Sequence, residues 1–450
     1  MYTDYFLKMF DKNSEEDAII WQGRNYSYQW LVNSIDKYIN IVDSHKIRNG
    51  SIVALEGDFS PCSISLLFAL IEQACIIVPL THSSLERKKK ILSIAQVEYV
   101  LKVDKYDSFT FENISETLGN KLYEKIKQRQ HPGLVLFTSG SSGEPKAAVH
   151  DFVLLLNKFK TKRKAFRTLN FLLFDHWGGL NTMFHVLSNG GVLIGTKNRS
   201  PDYICNLIEK NVIELLPTSP TFLNLLLLSE SVNKYDLSSL KVISYGTEPM
   251  PENTLKRLNQ LFPSTKILQT YGLIELGVLR TKSKGNDSLL VKIGGEGYEV
   301  RVEEGMLEIK ASSAMLGYLN APSPFTDDGW FKTYDMVEEH GKYIKIIGRK
   351  SEVINVGGEK VYPQEVENVI QSVDNVGDAT VYGENNPIVG KIVCAKVSMI
   401  KNEDKKFLKR RIKKFCFIHL DQYKVPMKII ISKNLQYGKR FKKLRKSGTE

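Results

Sequence analysis

The chain has 450 residues, 42% of them hydrophobic and 25% charged, with a formal net charge of +12. That length accommodates two or three domains and a large core, and the composition is that of a globular protein, not of a disordered or collagen-like one. The longest apolar stretch, Ile64 to Leu80, is broken by Glu72 and Gln73, which is too short and too interrupted for a membrane span. In chain order, Met1 to Tyr5 carries an acid early and has no basic-then-apolar pattern, so no secretory signal is expected. Ser51 to Leu55 predicts a strand, Cys62 to Ile71 a helix and Ala74 to Val78 a short strand. The apolar run Leu134 to Phe137 predicts a buried strand ahead of a Ser/Gly-rich bend. Val212 to Leu216, Lys241 to Ser244 and Lys266 to Gln269 predict further strands between amphipathic helices such as Asn253 to Leu261. This alternation implies parallel sheets covered by helices. From about residue 285 short alternating runs, Tyr298 to Val302 and Met306 to Ile309, predict an antiparallel barrel-like subdomain. Beyond Val361 the pattern predicts a compact α+β unit. Its helix is Gln364 to Ser372, its strands Ala379 to Tyr382 and Ile392 to Ala395, and Phe407 to Leu420 is a basic amphipathic helix. The fold class expected is α/β, with a large N-terminal domain (1–348) and a small mobile α+β domain (349–450).

The five cysteines (Cys62, Cys75, Cys205, Cys394, Cys416) are scattered with no CxxC spacing. This excludes a disulfide framework and predicts reduced, buried thiols and a cytoplasmic location. Residues 401–450 hold seventeen Lys and Arg against four Asp and Glu, so the positive charge belongs to the C-terminal part. A solvated helix face accounts for such a surplus, and so does a surface that attracts an anion. Aromatic interleaving of the kind used by single-strand binders is sparse there, so no nucleic-acid partner is expected.

The most informative string is Phe137-Thr138-Ser139-Gly140-Ser141-Ser142-Gly143-Glu144-Pro145-Lys146. Hydroxyls and glycines after a buried strand can wrap backbone N–H groups around a phosphate chain, with the lysine adding a point charge. The spacing is not that of the common Gly-Lys-Ser/Thr phosphate loop. A Ser/Gly linker has the same composition, but linkers seldom follow a buried strand.

With five further strings in one order, the chain resembles the acyl-adenylate-forming superfamily of AMP-dependent synthetases and ligases, and its pattern is most similar to that of the acyl-CoA ligases. The strings are Tyr245 to Pro249, Gln269 to Glu275, Lys332 to Asp335, Gly348-Arg349 running on through Ile354 to Glu367, and Tyr437 to Arg440. The resemblance implies that Thr138, Ser139, Gly140, Ser141, Ser142, Gly143 and Lys146 hold the β- and γ-phosphates of ATP and that Glu275 holds Mg²⁺. It implies that Tyr271 and Gly272 line adenine, with Gly246, Thr247, Glu248 and Pro249 closing the other side. Asp335 and Arg349 then take the ribose, and Lys439 acts on the acyl carboxylate and α-phosphate. His176, within Phe174 to Leu180, resembles the acyl-pocket histidine, with Asp175, Trp177 and Gly178 beside it. Ser351 occupies the hinge, and Gly357 and Gly358 the passage for a phosphopantetheine thiol. The implied acceptor is CoA or the phosphopantetheine of an acidic carrier protein. Two departures stand out: Ile274 replaces the usual Thr or Ser before the glutamate, and Tyr334 replaces the Gly of Thr-Gly-Asp. The implied activity is activation of a carboxylic acid to its adenylate, followed by transfer to a thiol. The alternatives are a stand-alone amino-acid-adenylating enzyme and a non-catalytic nucleotide- or nucleic-acid-binding relative.

Overall fold

The computed structural model describes residues 1–114, 119–139, 144–432, 437–438 and 441–445, the side chain of Ser139 excepted. Two seven-stranded sheets carry the first 270 residues. One runs in the order Lys266–Gln269, Val242–Tyr245, Leu215–Thr218, Arg167–Leu169, Val192–Ile194, Asp17–Trp21, Arg24–Ser27, and all of its pairs are parallel except the last. The other has Ile52–Glu56, Ile76–Leu80, Tyr99–Val103 and Gly133–Ser139 as its parallel centre, with antiparallel strands at both edges. The central strands Ile52–Glu56 and Ile76–Leu80 and the helix between them, Pro61–Glu72, are buried almost throughout. This explains the near-continuous apolar run in the sequence, since parallel strands covered on both faces do not alternate.

Two of the expected strands begin later than their apolar runs. Ala74 (φ +52°) and Val212 (φ +49°) are left-handed residues that follow helix ends, and the strands start at Ile76 and Leu215. An apolar residue in a helix C-terminal turn reads like the first residue of a strand, because the run itself carries no mark of the left-handed bend.

A six-stranded antiparallel sheet follows, in the order Thr281–Ser283, Leu290–Ile293, Tyr343–Arg349, Phe331–His340, Met306–Ala311, Tyr298–Glu303. After a short 3-10 turn, Lys350–Glu352, a last sheet forms from Ile354–Val356, Glu359–Val361, Val376–Asn386, Gly390–Met399 and Lys428–Ile431. Helices Pro363–Gln371 and Lys405–His419 cover it around a core of its own. All five cysteines are buried and unbridged. Among the described residues no helix is long and apolar enough to cross a membrane.

Candidate functional site

The strands Leu215–Thr218, Val242–Tyr245 and Lys266–Gln269 end side by side, and the chain leaves them through Thr218, Gly246-Thr247 and Thr270-Tyr271. Helix Trp177–Ser188 lies opposite. Between them is a cavity of about 110 Å³ walled by His176, Trp177, Gly178, Thr218, Gly246, Thr247, Tyr271, Gly272 and Ile274, among others. This is the C-terminal edge of a parallel sheet, where ligands of open α/β folds bind.

The histidine is placed by helix capping. His176 is the N-cap of Trp177–Ser188, and its Nδ1 accepts from Gly178 N at 3.0 Å, which leaves Nε2 as the ring's N–H in the neutral form. Of the two glycines in its first turn, Gly179 is sterically required by backbone, while Gly178 is crowded by side chains. A Cβ on Gly179 would lie 2.3 Å from the Leu173 carbonyl oxygen, and one on Gly178 would lie 2.7 Å from Leu172 Cδ1. Asp175, half-buried in the bend before the helix, is not among the residues that wall the cavity.

At one end of the cavity Tyr271, Asp335 and Arg349 form a connected set. The Tyr271 hydroxyl donates to Asp335 Oδ2 at 2.6 Å and Arg349 Nε donates to Oδ1 at 3.1 Å. Asp335 and Arg349 face each other on adjacent antiparallel strands. The Asp335 charge raises the pKa of Arg349, while burial and Asp335 drive that of Tyr271 well up, so the phenol stays neutral and donating. Tyr334, just before Asp335, takes φ +59°.

A second set surrounds Glu275. Its Oε1 accepts from the Tyr318 hydroxyl at 2.6 Å, and the Lys146 ammonium lies 5.6 Å from the Tyr318 ring centre. Residues Gly317 and Tyr318 pair with Val149 and Ala148 on the strand Pro145–Asp151, and this pairing brings Lys146 and Glu275 to one tyrosine. Thr138 faces Lys146 across the strand pair Gly133–Ser139 and Pro145–Asp151. Gly140, Ser141, Ser142 and Gly143 lie outside the described residues.

The chain's C-terminal part closes the third side. The Phe441 ring sits 5.4 Å from Phe171 and 5.5 Å from Phe222, centre to centre, and its carbonyl accepts from Ser219 Oγ at 2.8 Å. Phe441, Lys442, His176 and Thr247 share a small cavity of about 20 Å³. Lys439 lies outside the described residues, two positions before Phe441.

Three of the expected site elements lie off the wall of this cavity. Glu248 does not face the nucleotide cavity. Its carboxylate accepts from Thr221 N at 2.8 Å and from Lys443 N at 3.3 Å, and it walls a separate crevice with Pro249 and Arg445. Burial pushes its pKa up. The cause of the turn is Thr247, held at φ +75°, which sends the next residue away from Gly246. Gly357 and Gly358 (φ +59° and +95°) form an exposed hairpin tip with open space around them, outside the cavity walls. Asp175 is the third, as described above. Sequence reasoning missed Tyr318 and Phe441, whereas Thr218 falls within Pro217 to Phe222, a stretch expected to line the pocket. The strand holding Tyr318 is two residues long, which leaves no periodicity to read.

The site fits a nucleotide with a hard cation. Thr218 Oγ1 and Thr247 Oγ1 are buried in or beside the cavity walls with no partner among the described residues, and buried hydroxyls are otherwise satisfied. Among the described residues no cluster of three or more acidic, Cys or His side chains could hold a metal by itself. A lone carboxylate such as Glu275 suits Mg²⁺, which keeps waters and takes its other oxygens from phosphates.

Comparison with known proteins agrees with this geometry. A family model described as AMP-binding enzyme matches residues 8–305, and one described as AMP-binding enzyme C-terminal domain matches residues 365–442. An indoleacetate–CoA ligase of Aromatoleum aromaticum is 26% identical, covering 84% of both chains, and a 2-succinylbenzoate–CoA ligase of Listeria innocua is 24% identical, covering 96% of both. The solved structure of the anthranilate CoA ligase AuaEII with anthranoyl-AMP superposes with a TM-score of 0.82 over 98% of this chain and 94% of that one, at 16% identity, and so shares the fold. The chain belongs to the AMP-binding enzyme family, the AMP-forming acid–thiol ligases.

Proposed function

We propose that the cavity beneath His176 activates a carboxylic acid with ATP and passes the acyl group to a phosphopantetheine thiol, with CoA as the favoured acceptor. In the first step an acid oxygen attacks the α-phosphorus and pyrophosphate leaves. In the second a thiol sulfur attacks the acyl carbon, AMP leaves and the thiol proton is released. Both steps depend chiefly on positioning and on offsetting developing charge.

The observation that carries this reading is that the walls of one cavity include Tyr271, bonded to Asp335 and through it to Arg349, Ile274, next in sequence to Glu275 with its Tyr318 and Lys146, and His176, which shares a second, smaller cavity with Phe441. In it, Asp335 accepts from the ribose hydroxyls while Arg349 and Tyr271 hold its carboxylate in place. Gly246, Thr247, Tyr271 and Gly272 border adenine. Thr138, Ser139, Gly140, Ser141, Ser142, Gly143 and Lys146 take the outer phosphates. Glu275 holds Mg²⁺, which neutralises phosphate charge when bound. Trp177 and Gly178 bound the acyl group, and His176 stands where that group meets the adenylate. Lys439 supplies the positive charge at the reacting carboxylate. Asp175 is off the cavity wall, which supports an acid without an α-amino group.

The unit beginning at Arg349 then turns about Ser351, carrying the exposed Gly357-Gly358 tip toward the site so that the thiol passes close to the backbone. Five buried, unbridged thiols support a cytoplasmic enzyme. The test is Lys439→Ala, assayed separately for acid-dependent ATP–pyrophosphate exchange and for thioester formation from preformed adenylate. Exchange is expected to fall by roughly 10²-fold or more and the second step far less. Equal losses, or no AMP release with any acid, overturn the reading.

A further inference from the structure

The cavity at His176 adjoins a second one. Asn181, Thr182, Pro217 and Ser244 wall it and also wall a second, larger cleft of about 570 Å³. The two lie end to end between helix Trp177–Ser188 and the face of the parallel sheet. From Thr270 at the nucleotide end to Lys266 at the outer end is four strand residues, about 13 Å at the usual rise. The outer cleft keeps an apolar floor in Leu215, Val242 and Leu268, but Lys164 and Lys266 stand around it, with His185, which burial keeps neutral, beside them. Its other lysine, Lys241, is committed to Glu214.

Behind the junction of the two cavities lies Lys158. Its buried ammonium donates to Asn181 Oδ1 at 2.8 Å and to the Val278 carbonyl at 2.6 Å, and no carboxylate among the described residues pairs with it. Burial first, and then the charges of Arg280 and Arg163, push its pKa down to about 8. A buried cation among cations, held only by neutral oxygens and the Phe159 ring 5.5 Å away, is costly unless an anion lies near. An ammonium can only donate, so it fixes Asn181 with its oxygen toward Lys158 and its NH₂ turned away, and Asn181 borders both cavities. A passage for a purely hydrocarbon acyl chain has no use for this arrangement.

We propose that the acid taken by this site carries a second carboxylate at the end remote from the reacting one, received by Asn181 with Lys158 behind it and by the basic outer cleft. The inference rests on the acid-activating reading above and narrows its substrate class. The monocarboxylate left after removal of that group is expected to be a poor substrate, because the site's polar groups are then left unpaired.

The experiment compares straight-chain dicarboxylic acids with monocarboxylic acids of the same length, by pyrophosphate release. The diacids are expected to show kcat/KM at least about 10-fold higher at the best length. In Lys158→Met that ratio is expected to fall by about 10-fold, chiefly through KM for the diacid, and Lys158→Arg is expected to retain it. Equal kcat/KM for both kinds of acid, or a ratio that Lys158→Met leaves unchanged, overturns the second-carboxylate assignment while acid activation stands. Absence of acid-dependent pyrophosphate release with every acid offered, straight-chain or not, overturns the activation reading, and this inference with it.

Discussion

Tyr334 holds the left-handed conformation at φ +59° with its side chain half exposed, at the position where relatives of this pattern carry glycine. An L-residue there costs about 1–2 kcal/mol, and the strain sits next to Asp335, the acceptor of both Tyr271 and Arg349. Glycine removes the strain but adds freedom to the unfolded chain, an offset of about 0.5–1 kcal/mol. Tyr334→Gly is therefore expected to raise stability by about 0.5–1 kcal/mol, read as a higher denaturant midpoint with unchanged slope. A lower midpoint would mean that the tyrosine ring contributes packing larger than its backbone cost. Ile274, the other departure, walls the cavity and packs against two hydrophobic clusters. An apolar residue there gains burial where a hydroxyl would gain a hydrogen bond.

The segment from Phe441 to Arg445 is the element that joins the small unit to the cavity. Phe441 is wedged between Phe171 and Phe222, and Tyr437 stacks on its other side at 5.5 Å. Two residues on, the Lys443 ammonium is buried with Asp378 at 3.0 Å, Glu367 at 3.3 Å and the Ala379 carbonyl at 2.7 Å. Arg445 reaches Glu367 at 3.0 Å and Glu352 at 2.9 Å. Burial opposes the Lys443 charge, but Asp378 and Glu367 outweigh it and raise its pKa. Lys443 and Arg445 thus fasten the segment to the small unit, while Phe441 fastens it to the large one. Asn224 and Asn253 add two bonds across the same boundary, to the carbonyls of Gly377 and Gln371. Losing a docked ring of this kind costs about 2 kcal/mol, or about 30-fold. Phe441→Ala is expected to slow adenylation by that factor and to change thioester formation from preformed adenylate by less than about 3-fold. Equal slowing of both steps would make Phe441 a general stability residue instead of an anchor for the adenylating arrangement.

For the whole molecule, pH acts through two histidines whose pKa values burial lowers alike, His185 and one sealed in the second seven-stranded sheet. His150, on Pro145–Asp151, has no exposed surface, and burial lowers its pKa from 6.5 to about 4. Between those values the unfolded chain binds a proton that the folded chain does not, so stability is full above pH 6.5 and falls as pH drops toward 4. The loss from this group reaches about 3 kcal/mol at the lower limit. Denaturant midpoints at pH 7, 5.5 and 4.5 check it, and a flat profile would rule it out. Glu367 adds nothing in the upper part of that window. Burial opposes its charge, yet Arg445 and Lys443 hold its pKa below the ordinary carboxylate value, so its contribution is lost only at lower pH.

What the sequence alone determined was the order of the strings and the type of most elements. Thr138 to Lys146 after an apolar strand, Tyr271 to Glu275, and Asp335 with Arg349 are local patterns, and local backbone chemistry dictates them. Antiparallel pairing of neighbouring strands then joins Asp335 to Arg349 with few alternatives. The tertiary structure alone decided that Glu248 turns to Lys443, that Tyr318 reaches Glu275, that Phe441 packs on Phe171, and that the cavity at His176 shares Asn181 with a larger cleft bordered by lysines. Each of these joins residues tens to hundreds of positions apart. Such contacts depend on how sheets and helices stack and on which way one strained residue such as Thr247 sends the chain, and neither leaves a periodic mark in the sequence.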